Sequence, residues 1–295
     1  MIPVEIMKKI KRLHIKTSRL ATNIFAGDYK SVFKGRGLEF FEVREYVVGD
    51  EIRQIDWNVT ARTGLAHIKK FVEERELTIM FLLDISGSSG FGSVDRLKRE
   101  LEAELCAVLA SSASKNNDKV GLIMFSDIIE KYIPPKKGRH HNLRLIREVL
   151  YTKPNGKGTD IPLAFQFLNM VMKKSCVVFL ISDLFAENIR KPLLISSKKH
   201  DLIAIRVNDP VDLNLPDVGF VSLKDPETKK RFFINTANKD LRNKYFKQHH
   251  EHFEKTDKLL KRLSIDNINI STTGEYVNAL VDFFEKRKMR RKGRG

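Results

Sequence analysis

The sequence of 295 residues is poor in the features that mark secreted and membrane proteins. It contains two cysteines. Cys106 falls in a helical pattern and Cys176 opens an apolar strand, so we expect two separate buried thiols rather than a disulfide or a metal pair. No apolar run approaches the roughly 20 residues of a membrane-spanning helix, and no signal-peptide pattern opens the sequence. These absences predict a cytoplasmic protein.

Common catalytic motifs are missing as well. No G-K-[ST] closes a glycine-rich run, which argues against a P-loop nucleotide site. The run GSSGFG has neither the order of a nucleophile elbow, G-x-S-x-G, nor that of a dinucleotide site, G-x-G-x-x-G. The sequence therefore predicts neither an α/β-hydrolase nor a dinucleotide-dependent enzyme.

Positive charge, in contrast, is abundant: 54 lysines and arginines against 37 acids give a formal net charge of +17. Much of it lies in a basic helical pattern at 3–24 and in the tail 286–295, which we expect to be disordered. Basic ends can bind nucleic acid or an anionic membrane surface. Because no aromatic residue interleaves the tail to stack on bases, we do not expect a nucleic-acid partner. Peripheral contact of the first helix with the inner face of the membrane stays open.

From Leu77 onward, short apolar runs alternate with helical patterns. This alternation predicts an α/β fold with right-handed crossovers and a doubly wound, mostly parallel sheet. An antiparallel edge strand is expected at 128–133, ended by the proline pair that follows it. We expect this domain to span residues 75–285, after a helix and a small β-rich segment in residues 1–74. Buried strands of the sheet are predicted at 77–83, 119–126 and 175–181, and further strands at 201–207 and 267–272.

The first of these strands ends in three polar side chains at the carboxyl edge of the sheet, where open α/β sheets place their ligands. In LTIMFLLDISGS, Asp84, Ser86 and Ser88 put one carboxylate and two hydroxyls on a tight turn. All three are hard oxygen ligands, which suit Mg²⁺ or Mn²⁺ better than zinc. The competing interpretation is a strand-to-helix turn in which one of the serines caps the next helix.

Two later loops add oxygens to the same edge. Asp183 follows another buried strand, and Thr159 lies in the glycine-rich loop GKGTD before a helix. The ends of parallel strands lie side by side in a doubly wound sheet, so we expect these side chains to converge. A divalent cation at such a site keeps a water position open, which a partner's carboxylate can fill. The five predicted metal ligands are Asp84, Ser86, Ser88, Thr159 and Asp183.

This set resembles the metal-ion-dependent adhesion site (MIDAS) of von Willebrand factor A domains: a strand-end D-x-S-x-S, a downstream threonine and an S-D after a later strand. A narrower resemblance is to the bacterial domain of unknown function 58, which contains such a module. Its hallmark segment is similar to EFFEVREYVVGDEIRQIDWNVTARTGLAHIKKF here, and DKVGLIMFS, LISDLF and KHDLIAIRVNDP match later. Many members carry membrane helices before the hallmark segment, whereas this sequence has a basic amphipathic helix there.

The resemblance implies a metal-dependent protein-binding module, not an enzyme, with Mg²⁺ or Mn²⁺ as its cofactor. Ser86, Ser88 and Thr159 would bind the ion directly, and Asp84 and Asp183 directly or through water. The implied partner is a protein that presents an acidic side chain: a MoxR-type AAA+ ATPase, whose gene often neighbours those of the family, or a client of that ATPase. The protein would then act as an adaptor in complex assembly or maturation.

Other functions remain open from the residues. A Mg²⁺-dependent phosphoester hydrolase could use the same oxygens, although Ser86 stands where a phosphoaspartate enzyme usually has its second acid. A membrane-surface or nucleic-acid binder acting through the basic termini would lose affinity steeply with salt. His249, His250 and His252 cluster on a predicted helix, where zinc binding competes with an exposed polar face.

Overall fold

The structure, a computed structural model, describes residues 38–73, 76–93, 96–224 and 230–292, so the predicted helix at 3–24 lies outside it. No helix in the described ranges combines the length and hydropathy that a membrane span requires. The strands are β1 (Leu38–Glu45), β2 (His67–Glu73), β3 (Thr78–Asp84), β4 (Lys119–Phe125), β5 (Ile129–Lys136), β6 (Val177–Ser182), β7 (Asp201–Asn208), β8 (Phe220–Lys224), β9 (Arg231–Asn235) and β10 (Asp266–Ser271). The helices are α1 (Trp57–Thr63), α2 (Lys98–Lys115), α3 (Arg139–Tyr151), α4 (Ile161–Val171), α5 (Arg190–Lys199), α6 (Pro210–Leu213), α7 (Lys239–Arg262) and α8 (Tyr276–Lys292).

Six strands form the central sheet in the order β10-β7-β6-β3-β4-β5. β3 is parallel to both β4 and β6, and β7 is parallel to β6 and β10. β3 is apolar from Ile79 to Leu83 because both faces of the sheet are covered there. Phe81 packs in the core with α2 and α8, and Met80 packs in the core with α4 and α5. The predicted α/β fold with a doubly wound, mostly parallel sheet is therefore confirmed.

Strand β5 is longer than predicted. The expected antiparallel edge strand pairs with β4, but it continues through Pro134 and Pro135 to Lys136. Proline lacks the N–H that a central strand needs, whereas an edge strand accommodates it at an irregularity in the pairing. The register against β4 shifts between Ile133 and Lys136, which is where both prolines lie.

The last helix, α8, corrects the prediction for the C-terminal end. The stretch expected to be a disordered tail, 286–295, is helical up to Lys292. Arg287 lies in this stretch and is buried. Its Nη2 donates to both carboxylate oxygens of Asp201, at 2.5 Å each, and its Nη1 lies 3.1 Å from Asp266 Oδ2. These contacts tie a basic segment to the amino ends of β7 and β10, and helical periodicity alone does not reveal them.

Residues 38–73 form a separate two-stranded sheet, with β1 antiparallel to β2. Helix α1 lies between them, and the sequence did not predict it because the region is broken by glycines and mixed charges. Asp56 caps α1 by accepting two backbone N–H groups of its first turn, and Gly64 ends it in a left-handed conformation with φ of 74°.

Candidate metal-binding site

The site lies at the carboxyl edge of the sheet, where β3 and β6 run side by side. Their pairing ends with Leu83 opposite Ile181, so the next residues along each strand are also neighbours. Ser182 Oγ donates a hydrogen bond of 2.8 Å to Asp84 Oδ2. Ser182, at the end of β6, thus fixes the orientation of the Asp84 carboxylate at the end of β3.

The turn after β3 brings two hydroxyls together. Ser86 N–H donates to Asp84 Oδ1 at 3.0 Å, and Ser86 Oγ lies 3.2 Å from Ser88 Oγ. Ser86 precedes a short 3₁₀ helix, Gly87–Gly90, but its side chain makes no capping hydrogen bond there, unlike in the capping interpretation. Neighbouring ligands in an octahedral shell at about 2 Å from Mg²⁺ are about 3 Å apart. The hydroxyl pair therefore fits one edge of such a shell.

Side chains from all three predicted loops line one cavity of about 650 Å³. Ser88, Thr159 and Asp183 reach its wall, from the loops after β3, before α4 and after β6. Ser86 joins them through its hydroxyl contact with Ser88, and Asp84 through its hydrogen bond to Ser86. The fold thus places three of the five side chains on one cavity wall and connects Ser86 and Asp84 to them by hydrogen bonds, and their role as metal ligands stays a prediction.

The loop that carries Thr159 is anchored on both sides. Gly156 N–H donates to Glu130 Oε1 at 2.8 Å, and a Cβ at Gly156 would lie 1.9 Å from Asp127 Oδ1, so a larger residue does not fit without displacing the loop. On the other side, Asp160 caps α4 by accepting a backbone N–H of its first turn at 2.8 Å. These anchors set the position of the threonine between them.

Acidic side chains are crowded around the hydroxyls. Burial and the nearby charge of Asp183 raise the pKa of Asp84 from 3.8 to about 6, although Ser86 and Ser182 donate hydrogen bonds to it. Burial and the charge of Asp84 raise the pKa of Glu102 well above its usual value. Each ionised carboxylate disfavours ionisation of the other carboxyl groups, so binding of a cation among them is electrostatically favoured.

A buried lysine, which the sequence patterns do not reveal, also lies at this site. Lys98, the first residue of α2, has a side chain only 3% exposed, and its Nζ lies 2.5 Å from Asp212 Oδ2 and 3.9 Å from Asp183 Oδ2. In the sequence, Lys98 is one of several basic residues at the start of a helical pattern. No local signal distinguishes it from a lysine exposed to solvent.

The rest of the cavity wall is mostly apolar and aromatic. Leu223 and Phe232 reach in from the β8–β9 hairpin, and Phe185 follows β6. His249 stacks on Tyr245 with 4.0 Å between ring centroids and faces Phe185 at 5.3 Å, so it belongs to this aromatic wall. Within the described part of the chain, no three or more histidine, cysteine or acidic side chains are arranged to hold a metal ion. The predicted ligand set differs from such a group, because three of its five side chains carry hydroxyls: Ser86, Ser88 and Thr159.

Comparisons with known proteins place the chain among relatives. The family model described as "Protein of unknown function DUF58" matches residues 42–255. The uncharacterized protein Rv1480 of Mycobacterium tuberculosis (strain ATCC 25618 / H37Rv) is 30% identical over 236 residues, which are 78% of this chain and 74% of that protein. The uncharacterized protein MAV169 of Mycobacterium avium is 28% identical over 161 residues, 53% of this chain and 94% of that protein.

Two solved structures align with the chain at low sequence identity. BatB, a conserved hypothetical protein from Bacteroides thetaiotaomicron, is 15% identical, with a TM-score of 0.45 over 72% of this chain and 99% of its own. The SpRpn10 VWA domain is 10% identical, with a TM-score of 0.38 over 70% of this chain and 94% of its own. Because the DUF58 model matches most of the sequence, the chain belongs to the DUF58 family, as its motifs predicted.

Proposed function

We propose that this DUF58 protein is a protein-binding module that holds Mg²⁺ or Mn²⁺ with Asp84, Ser86, Ser88, Thr159 and Asp183. The observation that carries the proposal is the meeting of Ser88, Thr159 and Asp183 in one cavity at the carboxyl edge of the sheet. The donor atoms are all oxygens, which suit a hard divalent ion. The carboxylates of Asp84, Glu102 and Asp183 also repel one another, and the buried cations Lys98 and Arg206 offset that repulsion only in part.

We propose different roles for the ligands, on the basis of their hydrogen bonds. Both carboxylate oxygens of Asp84 already accept a hydrogen bond, from the turn and from β6, so Asp84 would act through its charge and through bound water. The hydroxyls of Ser86, Ser88 and Thr159 and the carboxylate of Asp183 would contact the ion. When bound, the ion would supply an open coordination position that a partner's carboxylate can occupy.

Aromatic side chains around the cavity favour a protein as the partner. Phe185 and Phe232 line the cavity yet are 52% and 51% exposed. On the outer face of the hairpin, Phe220 and Phe233 are 80% and 78% exposed. Large apolar side chains exposed beside a polar centre are typical of protein-interaction surfaces. We therefore propose binding, rather than catalysis, as the activity of this site.

The proposed partner is a MoxR-type AAA+ ATPase or a client of that ATPase, with this protein as an adaptor in the cytoplasm. The family resemblance supports this choice, and an ATPase requires a compartment that contains ATP. The formal net charge of +17 also suits a partner that presents acidic side chains.

Retention of a purified MoxR-type ATPase on the immobilised protein should depend on the divalent ion. We expect EDTA, or the substitution Ser86→Ala, to reduce retention about tenfold or more, because the partner's carboxylate then lacks the cation that binds it. Ser197→Ala, on α5 and outside the cavity wall, is the matched control and should retain the ATPase normally. Equal retention by the wild type, with or without EDTA, and by Ser86→Ala would contradict the metal-bridge mechanism.

The aromatic wall should contribute to partner retention without contributing to metal affinity. Phe232→Ala is expected to weaken retention of the ATPase about fivefold or more, as truncation of a buried interface aromatic commonly does, and to leave Mn²⁺ affinity unchanged. Phe246→Ala is the control, because Phe246 is 43% exposed on α7 and stacks on His250 outside the cavity wall. Unchanged retention by Phe232→Ala would remove the hairpin from the proposed interface.

A further inference from the structure

We infer that Lys98 is a tethered cation that competes with the divalent ion for Asp183, a role that presupposes the metal-binding function proposed above. In the free protein, this competition keeps metal affinity low. A carboxylate from the partner then completes the site and favours the ion over the ammonium group.

The position of Lys98 places its charge inside the site. The side chain is 3% exposed, so the ammonium group lies within the protein rather than in solvent. Its Nζ contacts Asp212 Oδ2 at 2.5 Å and faces Asp183 Oδ2 at 3.9 Å. Lys98 also lines the same cavity as Ser88 and Thr159. The ammonium group is thus next to the side chains that would surround the ion.

The ammonium group of Lys98 and a divalent ion would compete for the same negative charge. Burial and the charge of Asp84 raise the pKa of Glu102, and the charge of Lys98 opposes that rise, so the lysine already neutralises part of the acidic cluster. A divalent ion and an ammonium group beside the same carboxylate repel each other. Binding of the ion must therefore either displace the ammonium group from Asp183 or proceed with lower affinity.

Asp212 gives the ammonium group a second position. It lies on α6, outside the predicted ligand set, and its Oδ2 also accepts the backbone N–H of Asp209 at 2.8 Å, which fixes its orientation. When an ion takes Asp183, the ammonium group can keep the Asp212 contact alone. Loss of Lys98 should therefore strengthen metal binding, and loss of the Asp212 charge should weaken it.

The competition links metal binding to partner binding. A partner carboxylate adds both a ligand and a negative charge, which offset the repulsion between the ion and Lys98. By thermodynamic linkage, the factor by which the partner raises the metal affinity equals the factor by which the metal raises the partner affinity. The ion would then be bound more tightly in the complex with the partner than in the free protein.

Calorimetric titration of Mn²⁺ into the metal-free full-length protein tests the role of Lys98. Lys98→Met should bind Mn²⁺ about tenfold more tightly than the wild type, because the competing cation is gone. Asp212→Asn should bind it about threefold more weakly, because the ammonium group then interacts more strongly with Asp183. Asparagine at 212 keeps an oxygen that can accept the Asp209 N–H. Lys258→Met, which removes a lysine 68% exposed on α7, is the control for net charge and should leave the affinity unchanged.

A double substitution separates competition from simple charge removal. In the Lys98→Met background, Asp212→Asn should change Mn²⁺ affinity much less than in the wild type, because Asp212 acts through the lysine. Adding Ser88→Ala to Lys98→Met should abolish the gained affinity, since the gain arises at this site. Circular dichroism checks folding, and Lys98→Gln replaces Lys98→Met if the methionine variant does not fold.

The outcomes distinguish this inference from the function on which it depends. If the wild type binds Mn²⁺ and the Lys98 variants bind it equally well or more weakly, Lys98 is not a competitor and the metal site stands. If neither the wild type nor any Lys98 variant binds Mn²⁺ at millimolar concentration, the proposed metal-binding function is itself overturned.

Discussion

Replacing Arg287 with methionine should lower the free energy of unfolding by about 3 to 5 kcal/mol, the usual cost of breaking a buried ion pair on one side. The side chains of Arg287 and Asp201 are only 3% and 2% exposed. Without the guanidinium group, the buried Asp201 carboxylate at the amino end of β7 loses two charged hydrogen bonds. Urea unfolding followed by circular dichroism measures the loss.

Arg290→Met is the matched control for this substitution. Arg290 lies on the same helix and contacts Asp266 at 2.8 Å, but its side chain is 61% exposed, so we expect a loss of less than about 1 kcal/mol. The double variant Arg287→Met, Asp201→Asn should recover most of the stability, because it also removes the buried negative charge that Arg287 contacts. Equal losses from the two arginine variants would contradict the assignment of Arg287 as the anchor of α8.

The metal-free protein should become more stable when Asp84 is replaced by asparagine. The pKa of Asp84 is raised from 3.8 to about 6, so the folded state binds this proton more tightly than the unfolded chain does. The resulting stability is fully present below about pH 4 and is lost as the pH rises through 6, a difference of about 3 kcal/mol. In EDTA at pH 8, Asp84→Asn should therefore unfold with a free energy about 2 kcal/mol above that of the wild type.

The pH dependence and the response to metal test the origin of this gain. The difference between Asp84→Asn and the wild type should shrink towards zero below pH 4, where the wild-type carboxyl is also neutral. Mn²⁺ should stabilise the wild type but not the variant, which has lost the charge of one of the five proposed ligands. Asp217→Asn, whose side chain is 61% exposed, should change stability by less than about 0.5 kcal/mol. If the variant is less stable than the wild type in EDTA at pH 8, ionisation of Asp84 does not destabilise the folded protein and this explanation is wrong.

The inner strands β3, β4, β6 and β7 could be predicted from local sequence because they are buried on both faces of the sheet. The run 77–83 is almost entirely apolar between charged residues and a polar turn, and the structure has β3 at Thr78–Asp84. The motif D-x-S-x-S then follows from where that strand ends. The rule that parallel strands end at a common edge predicts the position of Asp183, which follows β6, but not that of Thr159, which lies in the loop before α4. The structure places both on the wall of the same cavity.

The features that sequence patterns did not reveal depend on contacts between distant residues. Lys98 meets Asp212 from another helix, and neither residue carries a local sign of burial. The extent of α8 depends in the same way on Arg287 and Asp201, which are 86 positions apart. From sequence alone, a basic residue is predicted to be exposed, because the acidic residue that it contacts is not known. These contacts therefore emerge only from the folded chain.

Crystals of the full-length protein grown with Mn²⁺ test the central claim most directly, by anomalous diffraction at the manganese edge. We predict one anomalous peak within coordination distance, about 2 to 2.5 Å, of the hydroxyl oxygens of Ser86, Ser88 and Thr159. The Ser88→Ala crystal grown in the same way should lack that peak. A wild-type crystal with no anomalous density among these hydroxyls, at a Mn²⁺ concentration that occupies other sites on the protein, would contradict the metal-dependent account.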